Sequence, residues 1–577
     1  MSCTIDMKKI IVLSVALVMT TVSTMAQNVN LDAIYTDLPC TVAKPAQVKI
    51  PDASVRITDY GAKGDGITLC TDAIQKAINE LSEKGGGHVI VPEGLWLFTP
   101  IELKSNIDLY LNDNAMMILS TDKTLFKPES KSRSRFHGSI WALGQHDIAI
   151  TGNGIIEGNG KYWRPVKRGK QSDTEWKKYL SLGGAVTDDG KMWLPYNLKG
   201  KQNITQRAEN EENLRADMVS LKLCERVLLQ DITVQNSPRF HVHPLSCKDV
   251  VIENITVRCP WNAQNGDGID LTNCQRVLVY GNTVDVGDDG ICLKGRDSSK
   301  GLEAYPSRDM LIQNNKVCHA HGGFVLGSNI IGGMENIVVR HCSFSNTDTG
   351  LRFKSAIDRG GDTKNIFISD IMMNDIANEA ITFSCNYENK VKEDAKKLFV
   401  PHFKDIHISN IYCGECRVGL AASGIQGYDC VKDITITDSR IQCSEKDVAI
   451  DAATASVGFI HTRFVPKEYW TDTDGRMINA HGGGLLKHNG RWYMYGEYKV
   501  GKTVLRDGAD WECYRTEMGG VSCYSSKDLL NWKFEGVVLK TEPDNPDSDL
   551  HPSKVIERPK VIMWPSVAGF FVPRCEQ

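Results

Sequence analysis

Short apolar triplets recur along the chain, each followed by a polar corner and a second apolar segment. The triplets are Ile148-Ala149-Ile150, Val227-Leu228-Leu229, Val250-Val251-Ile252, Val277-Leu278-Val279, Met310-Leu311-Ile312, Ile337-Val338-Val339, Ile366-Phe367-Ile368, Ile406-His407-Ile408 and Ile434-Thr435-Ile436. The second segments end at Ile155, Val234, Val257, Val284, Val317, Phe344, Met373, Cys413 and Ile441. Spacings of roughly 23–40 residues are those of a solenoid. Corners fall at residues suited to turns, as in Gln230-Asp231, Glu253-Asn254 and Tyr280-Gly281. No helical pattern of useful length separates the strands, so alternating βαβ architecture is disfavoured. Strands that pair with their copies one coil away make an all-β parallel β-helix, with coils stacked about 4.8 Å apart.

Three stretches depart from the repeat. Between Thr71 and Gly85, Ala73, Ile74, Ala77, Ile78 and Leu81 keep a 3–4 spacing. That spacing predicts a helix, which would cap the N-terminal edge of the solenoid. Residues 160–215 are polar and carry Trp163, Trp176 and Trp193. They read equally as an insertion beside the cleft offering rings for sugar stacking and as an ordinary surface excursion. After about Ser456 the pattern becomes Trp-, Tyr- and Gly-rich, as in Gly-Arg-Trp-Tyr-Met-Tyr-Gly-Glu (490–497). Hairpin strands are expected there in place of coils.

Candidate chemistry is concentrated in four segments that share one frame. These are Gly-Asp-Gly-Ile-Asp-Leu (266–271), Asp-Asp-Gly-Ile-Cys-Leu (288–293), His-Gly-Gly-Phe-Val-Leu (321–326) and Asp-Thr-Gly-Leu-Arg-Phe-Lys (348–354). In that frame Asp267 aligns with Asp289, and Asp288 with His321. Alternation along a strand sends Leu351 and Phe353 to one face and Arg352 and Lys354 to the other. Close carboxylates oppose one another's ionisation, so one can hold a proton near working pH. Fixed cations suit a substrate carboxylate. A lone Gly-Asp-Asp is ordinarily a solvated turn and a lone histidine ordinarily packs or faces water. Four segments in one register with complementary charge point instead to acid–base hydrolysis of an anionic substrate. Asp270 reads either as a partner of the site or as an ordinary surface acid.

Composition narrows the class and the address. At 577 residues the chain is too long for one ordinary domain. A net charge of −4 gives no global field for nucleic acid, so attraction for a polyanion must be local. Lys8-Lys9, the apolar run Ile10–Met19 and the small-residue site Thr24-Met25-Ala26 read as a secretory signal over residues 1–26. Met7 makes a cleaner start than Met1. The apolar run is too short for a typical span, so no membrane insertion is expected. Export to the periplasm or beyond is the expectation. Eighteen cysteines in an exported chain first suggest disulfides. However, Cys224, Cys247 and Cys274 each stand three residues before a strand start. Equal positions in successive coils imply a ladder of small buried thiols. No paired CxxC occurs, so zinc is not expected.

At the framed residues the chain resembles glycoside hydrolase family 28, the polygalacturonases. That family is marked by Asn-Thr-Asp, Gly-Asp-Asp, Gly-His-Gly and Arg-Ile-Lys. The matches are Asn265-Gly266-Asp267, Gly287-Asp288-Asp289, Ala320-His321-Gly322 and Arg352-Phe353-Lys354. The resemblance covers about residues 50–455. It implies a right-handed parallel β-helix and inverting hydrolysis of pectin without cofactor or metal. By the same resemblance Asp288 is the general acid, Asp267 and Asp289 activate the water, and His321 supports the acid. Arg352 and Lys354 would bind a galacturonate carboxylate, with Asn265 and Tyr387 at the substrate. Gly266, Ala320 and Phe353 depart from the family pattern and loosen the choice among homogalacturonan, xylogalacturonan and rhamnogalacturonan. The long insertions favour a pocket-like cleft and exo action.

Residues 458–577 resemble the start of a family 43 glycosidase, a galactan-cleaving five-bladed propeller. The matching stretches are Asn479-Ala480-His481-Gly482-Gly483-Gly484, Tyr495-Gly496-Glu497 and Glu557-Arg558-Pro559-Lys560-Val561. A propeller closes only as a ring, so this segment reads as incomplete, with exposed strand edges. No activity is expected from Glu497 or Glu557. The expected partition is a signal over 1–26, a β-helix hydrolase over 27–457 and the incomplete segment over 458–577. The partner is a pectic polysaccharide or oligogalacturonide, without nucleic acid, and a monomer is favoured. Rival readings are a calcium-dependent lyase on the same fold, a non-catalytic glycan-binding solenoid, and a galactanase acting through the tail.

Overall fold

The computed structural model describes residues 30–130, 133–196, 203–204, 207, 214–296, 305–388, 398–465, 470–505, 514–556, 558–563 and 568–571. The expected export signal, residues 1–26, lies outside these residues, as does Glu557. Two compact units are present, Met1–Ser343 and Phe344–Gln577. The expected boundary at 457/458 therefore falls inside the second unit.

The first unit is built of parallel coils. The apolar triplets stack in register: Ile148 on Val227, Val227 on Val250, Val250 on Val277, Val277 on Met310 and Met310 on Ile337. The second segments stack likewise through Val234, Val257, Val284 and Val317. There Ile156, not Ile155, pairs with Val234. The one-residue slip has a simple cause: Ile156 is buried and Ile155 is only half-buried, and alternation lets a single one of them face the core. Corners at Asp231, Asn254 and Gly281 adopt φ of 64°, 52° and 69°. Asn, Asp and Gly tolerate this left-handed region best.

Each coil has a third strand, and this one carries the framed residues. Its copies are β1 (Ile140–Leu143), β2 (Val219–Lys222), β3 (Val242–Leu245), β4 (Ile269–Thr272), β5 (Asp289–Lys294) and β6 (Gly322–Gly327). Ile140, Val219, Val242, Ile269, Ile291 and Phe324 stack inward along this wall. All six are at most 1% exposed.

Helix α1 (Thr71–Glu83) forms as its periodicity predicts, burying Ile74, Ala77, Ile78 and Leu81. Its Gln75 side chain accepts from the backbone N–H of Glu102 and donates to the Glu102 carbonyl, at 2.8 and 2.9 Å. The amide thus satisfies a strand edge that would otherwise invite another chain. Cys224, Cys247 and Cys274 are fully buried free thiols, as the ladder requires. Their Sγ–H groups point at the carbonyls of Lys222, Leu221 and Thr272. Every described cysteine is a free thiol.

Within the insertion, Ser172 caps the helix Asp173–Ser181 with a reciprocal Glu175 contact. Three short antiparallel strands, Val166–Lys167, Ala185–Val186 and Met192–Leu194, complete it. The sugar-stacking reading fails for two of its rings. Trp163 is fully buried edge-on to Phe126, and Trp193 is buried beside Tyr179.

The second unit holds further parallel coils and an antiparallel tail. Ile366, Ile406 and Ile434 stack in register, and β7 (Leu351–Lys354) pairs with β8 (Ile376–Ser384). In the tail, β9 (His481–His488), β10 (Arg491–Leu505), β11 (Tyr514–Ser526) and β12 (Lys533–Lys540) make one four-stranded antiparallel sheet. Four strands are the content of one propeller blade. Buried apolar groups pack this sheet, one around Met494, Tyr524 and Trp532 and another around Met518, Val521 and Ile556. No helix of the described residues is long and apolar enough to cross a membrane.

Candidate active site

Asp267, Asp288, Asp289 and His321 stand where the chain enters β4, β5 and β6. The Asp267 and Asp289 positions face each other through the Gly268 N–H, which donates to the Asp289 carbonyl at 2.9 Å. His321 follows one coil on, its N–H donating to the Asp288 carbonyl at 2.9 Å. Neither intervening glycine has room for a side chain. A Cβ on Gly268 would sit 2.5 Å from the Gly290 carbonyl oxygen, and one on Gly290 2.6 Å from Val317. Gly266, which replaces a family threonine, has a local reason as well: a Cβ there would lie 2.8 Å from Cys259 Sγ.

Asp288 is the most accessible carboxylate of the three. Its Oδ1 accepts from the Asp289 N–H at 3.0 Å and faces His321 Nδ1 at 3.1 Å. Its Oδ2 accepts from the Asn265 N–H at 3.1 Å. Asn265 thus joins the site through its backbone, while its side-chain oxygen accepts from Arg215 at 2.8 Å. Asp267 and Asp289 are buried. Burial, with Asp270, Asp288 and Asp289 around it, pushes the Asp267 carboxyl well above the usual carboxylate range, against the pull of Lys294. Its Oδ1 has no hydrogen-bond partner. Beneath it His241, also buried, meets the Asp267 carbonyl through Nδ1 at 2.8 Å, while its Nε2 accepts from the Ser237 N–H. Burial lowers His241 to about 4, so it is neutral and serves as a strut.

Two lysines at this site escaped the sequence reading. Lys294, at the end of β5, donates to Asp267 Oδ2 at 2.8 Å and Asp270 Oδ2 at 2.5 Å. Desolvation opposes its charge, but Asp267 and Asp270 outweigh it and hold the ammonium well above the ordinary lysine value. With Ile291 and Leu293 facing inward, alternation places Lys294 on the outer face with Cys292, so this residue was accessible to the frame. Asp270 is fully buried and joins this ion cluster, which decides its role against an ordinary surface acid. Lys170 comes from the insertion and sets its Nζ 2.7 Å from His321 Nε2 and 3.3 Å from the Gly287 carbonyl. No local signal marks it, because 151 residues separate it from His321. Asp288, Asp289 and His321 bring their ligand atoms within 4.8 Å of one another, a spacing that could hold a cation. Lys170 already brings an ammonium group to this cluster.

In the second unit Arg352 and Lys354 leave β7 on the face opposite Leu351 and Phe353, as alternation predicts. Phe353, the departure from the family isoleucine, stacks on Phe383 with ring centroids 4.3 Å apart. The larger ring is therefore absorbed in the core and leaves the direction of its neighbours unchanged. The Arg352 guanidinium and Lys354 ammonium lie 5.4 and 5.1 Å from the Tyr387 ring. Tyr387 is thus brought to the cation pair, 35 residues beyond Arg352. Such a pair over an aromatic face is a fitting receptor for a planar carboxylate.

Residues 177–413 match the family model described as glycosyl hydrolases family 28. An exo-poly-alpha-D-galacturonosidase of Dickeya chrysanthemi is 28% identical over 404 residues, which cover 66% of this chain and 65% of that protein. Over residues 177–413 the chain is thus similar to the glycosyl hydrolases of family 28. Residues 54–139 match a second model, rhamnogalacturonase A/epimerase, pectate lyase-like. The exopolygalacturonase of Thermotoga maritima, 27% identical, superposes with a TM-score of 0.58 over 73% of this chain and 95% of its own. The family 28 exopolygalacturonase of Yersinia enterocolitica shares the fold at 22% identity and a TM-score of 0.53, over 74% and 80% of the two chains. The parallel β-helix read from the repeat is thereby shared with solved family 28 enzymes.

Proposed function

We propose that this protein is an exported glycosidase that hydrolyses galacturonate linkages of pectin from the chain end. The observation that carries this reading is the joint presence of three carboxylates, His321 and Lys294 on successive coils similar to those of family 28, with Lys170 reaching His321 from the insertion. The exo assignment draws support from the exo-acting proteins of Dickeya chrysanthemi and Thermotoga maritima and from the insertion that reaches His321. In the proposed reaction Asp288 gives its proton to the glycosidic oxygen as the bond to the anomeric carbon breaks. The electron pair stays on that oxygen. Water attacks the anomeric carbon and loses a proton to the Asp267–Asp289 pair. Arg352 and Lys354, with Tyr387, receive the uronate carboxylate. We assign residues 27–457 to this hydrolase and 458–577 to a separate propeller-like segment, supported by the change from parallel to antiparallel pairing.

One distance favours a second stereochemical course. The nearest Asp288 and Asp289 oxygens lie within 4.8 Å. Inverting pairs usually stand about 6.5–9.5 Å apart and retaining pairs about 5–5.5 Å. Inversion therefore needs the water to be held by Asp267 as well as Asp289, whereas retention would make Asp289 a nucleophile. The full chain, incubated with polygalacturonic acid or rhamnogalacturonan backbone in the presence of a chelator, tests the function. Saturated galacturonate monomer accumulating from the outset supports exo-hydrolysis. A ladder of oligomers would make it endo. Unsaturated, ultraviolet-absorbing products would make it a lyase, and loss of activity on chelation would require a metal.

A further inference from the structure

Lys170 carries an ammonium to the outer nitrogen of His321, and this has a consequence for the proton on Asp288. An ammonium only donates. At 2.7 Å from Nε2 it requires that nitrogen to offer its lone pair. The ring proton of neutral His321 then sits on Nδ1 and is donated to Asp288 Oδ1 at 3.1 Å. Asp288 Oδ1 also accepts from the Asp289 N–H. An oxygen that receives two N–H groups is a poor place for an acid proton. The proton of a protonated Asp288 is thus directed to the other oxygen, Oδ2, which faces the Asn265 N–H. In the other tautomer, Nδ1 would accept, and it would draw the Asp288 proton onto Oδ1, toward the histidine.

We propose that Lys170 is a positioning residue that fixes His321 as the Nδ1–H tautomer and so aims the Asp288 proton away from the histidine, toward the glycosidic oxygen. The inference rests on the reading of Asp288 as the general acid. It assigns to the insertion, which the solenoid itself does not need, the task of completing the acid. The insertion also anchors Lys170 locally. Arg168 and Gln171 flank it in a 3-10 turn, the Arg168 guanidinium donating to the Gln171 carbonyl at 2.8 Å. The Lys170 ammonium donates in addition to the Gly287 carbonyl, one residue before Asp288. Its position is thereby tied to the same backbone that carries the acid.

The test compares Lys170→Met, Lys170→Arg and Lys170→Glu in the full chain. Steady-state kinetics on polygalacturonic acid are read beside the histidine nitrogen spectrum of protein labelled with nitrogen-15 at histidine. A His321→Gln variant assigns the His321 signals. Lys170→Met keeps the bulk of the side chain and loses the donor. It should lower kcat about ten- to a hundredfold with KM changed less than about twofold, because only the proton transfer is disturbed. Lys170→Arg retains a donor and should keep kcat within about fivefold. Lys170→Glu accepts a hydrogen bond and should move the His321 proton to Nε2 and give the lowest kcat of the three. The wild type should show Nδ1 protonated and Nε2 bare. Unchanged kcat in Lys170→Met would overturn the proposal, and so would an Nε2–H signal in the wild type. A raised KM at constant kcat would make Lys170 a binder of substrate carboxylate instead. Absence of any wild-type hydrolysis would remove the functional reading, while the nitrogen spectrum would still report the tautomer.

Discussion

Two rows of charge run along the same solenoid and are built in opposite ways. At one corner Asp147, Arg226, Asp249, Arg276 and Asp309 occupy successive left-handed positions, with φ of 51° to 58°. The first four form two-pronged pairs. Arg226 donates to both oxygens of Asp147 at 2.9 and 2.6 Å, and Arg276 to both oxygens of Asp249 at 2.6 and 2.7 Å. The Lys49 and Ala46 N–H groups add a further donor to Asp147 and Asp249. Burial raises both carboxyls, but the arginines together with the other hydrogen-bond donors outweigh it and hold both below the usual range. On the other row Asp267 and Asp270 share the single Lys294, each keeps one oxygen without a partner, and Asp267 is pushed up. The corner row is satisfied and serves the fold. The site row is left short of donors, which is costly for stability and useful for moving protons.

The largest expected effect separates the rows by activity. Asp288→Asn should lower turnover about 10²- to 10⁴-fold, the usual weight of a general acid, without lowering the melting temperature. Asp249→Asn should leave turnover intact. Equal activity in the two variants would erase the distinction. Next, Lys294→Met strands Asp267 and Asp270 without their counter-ion. It should cost about 3–5 kcal/mol in denaturant unfolding, as removal of one partner of a buried pair does.

Asp249→Asn should be milder, about 1–3 kcal/mol, because its arginine partner is partly exposed and water can replace the lost bond. The pH dependence carries the sign. Asp147 and Asp249 titrate lower in the fold than in the unfolded chain. Their contribution is present above the unfolded carboxylate value of about 3.9 and is lost as pH falls through the folded value. Asp267 titrates higher in the fold. Its contribution is full below that unfolded value and is lost as pH rises toward its folded one. Asp267→Asn should therefore raise the melting temperature by a few degrees at neutral pH, with the gain shrinking toward pH 4, while abolishing turnover. A lower melting temperature at neutral pH would show that the charge of Asp267 is satisfied after all. The smallest contrast lies in the second unit: Arg352→Gln should raise KM for polygalacturonate about tenfold with a lesser change in kcat.

Much of this was legible in the sequence because a solenoid repeats its physics. The triplets, the corners at Asp231, Asn254 and Gly281, the thiol ladder and the shared frame of Asp267, Asp288, Asp289 and His321 all follow from period and alternation. Lys294 obeyed the same alternation and was passed over because it lies one residue past the framed segment 288–293. The corner row of Asp147, Arg226, Asp249 and Arg276 was hidden, since non-glycine residues with positive φ leave no compositional mark when two of them are arginine. Lys170 and the burial of Trp163 and Trp193 could not be read at all. Both depend on where a non-repeating insertion folds back, and periodicity carries no information about that.

The most direct measurement is the anomeric configuration of the first product, followed by proton NMR as the full chain acts on an oligogalacturonide. Early β-anomer that mutarotates later, and that fails to appear with Asp288→Asn, is the result expected of an acid at Asp288 and a water held by Asp267 and Asp289. Early α-anomer would make Asp289 a nucleophile. Product formation that survives Asp288→Asn would contradict the placement of the reaction at this cluster.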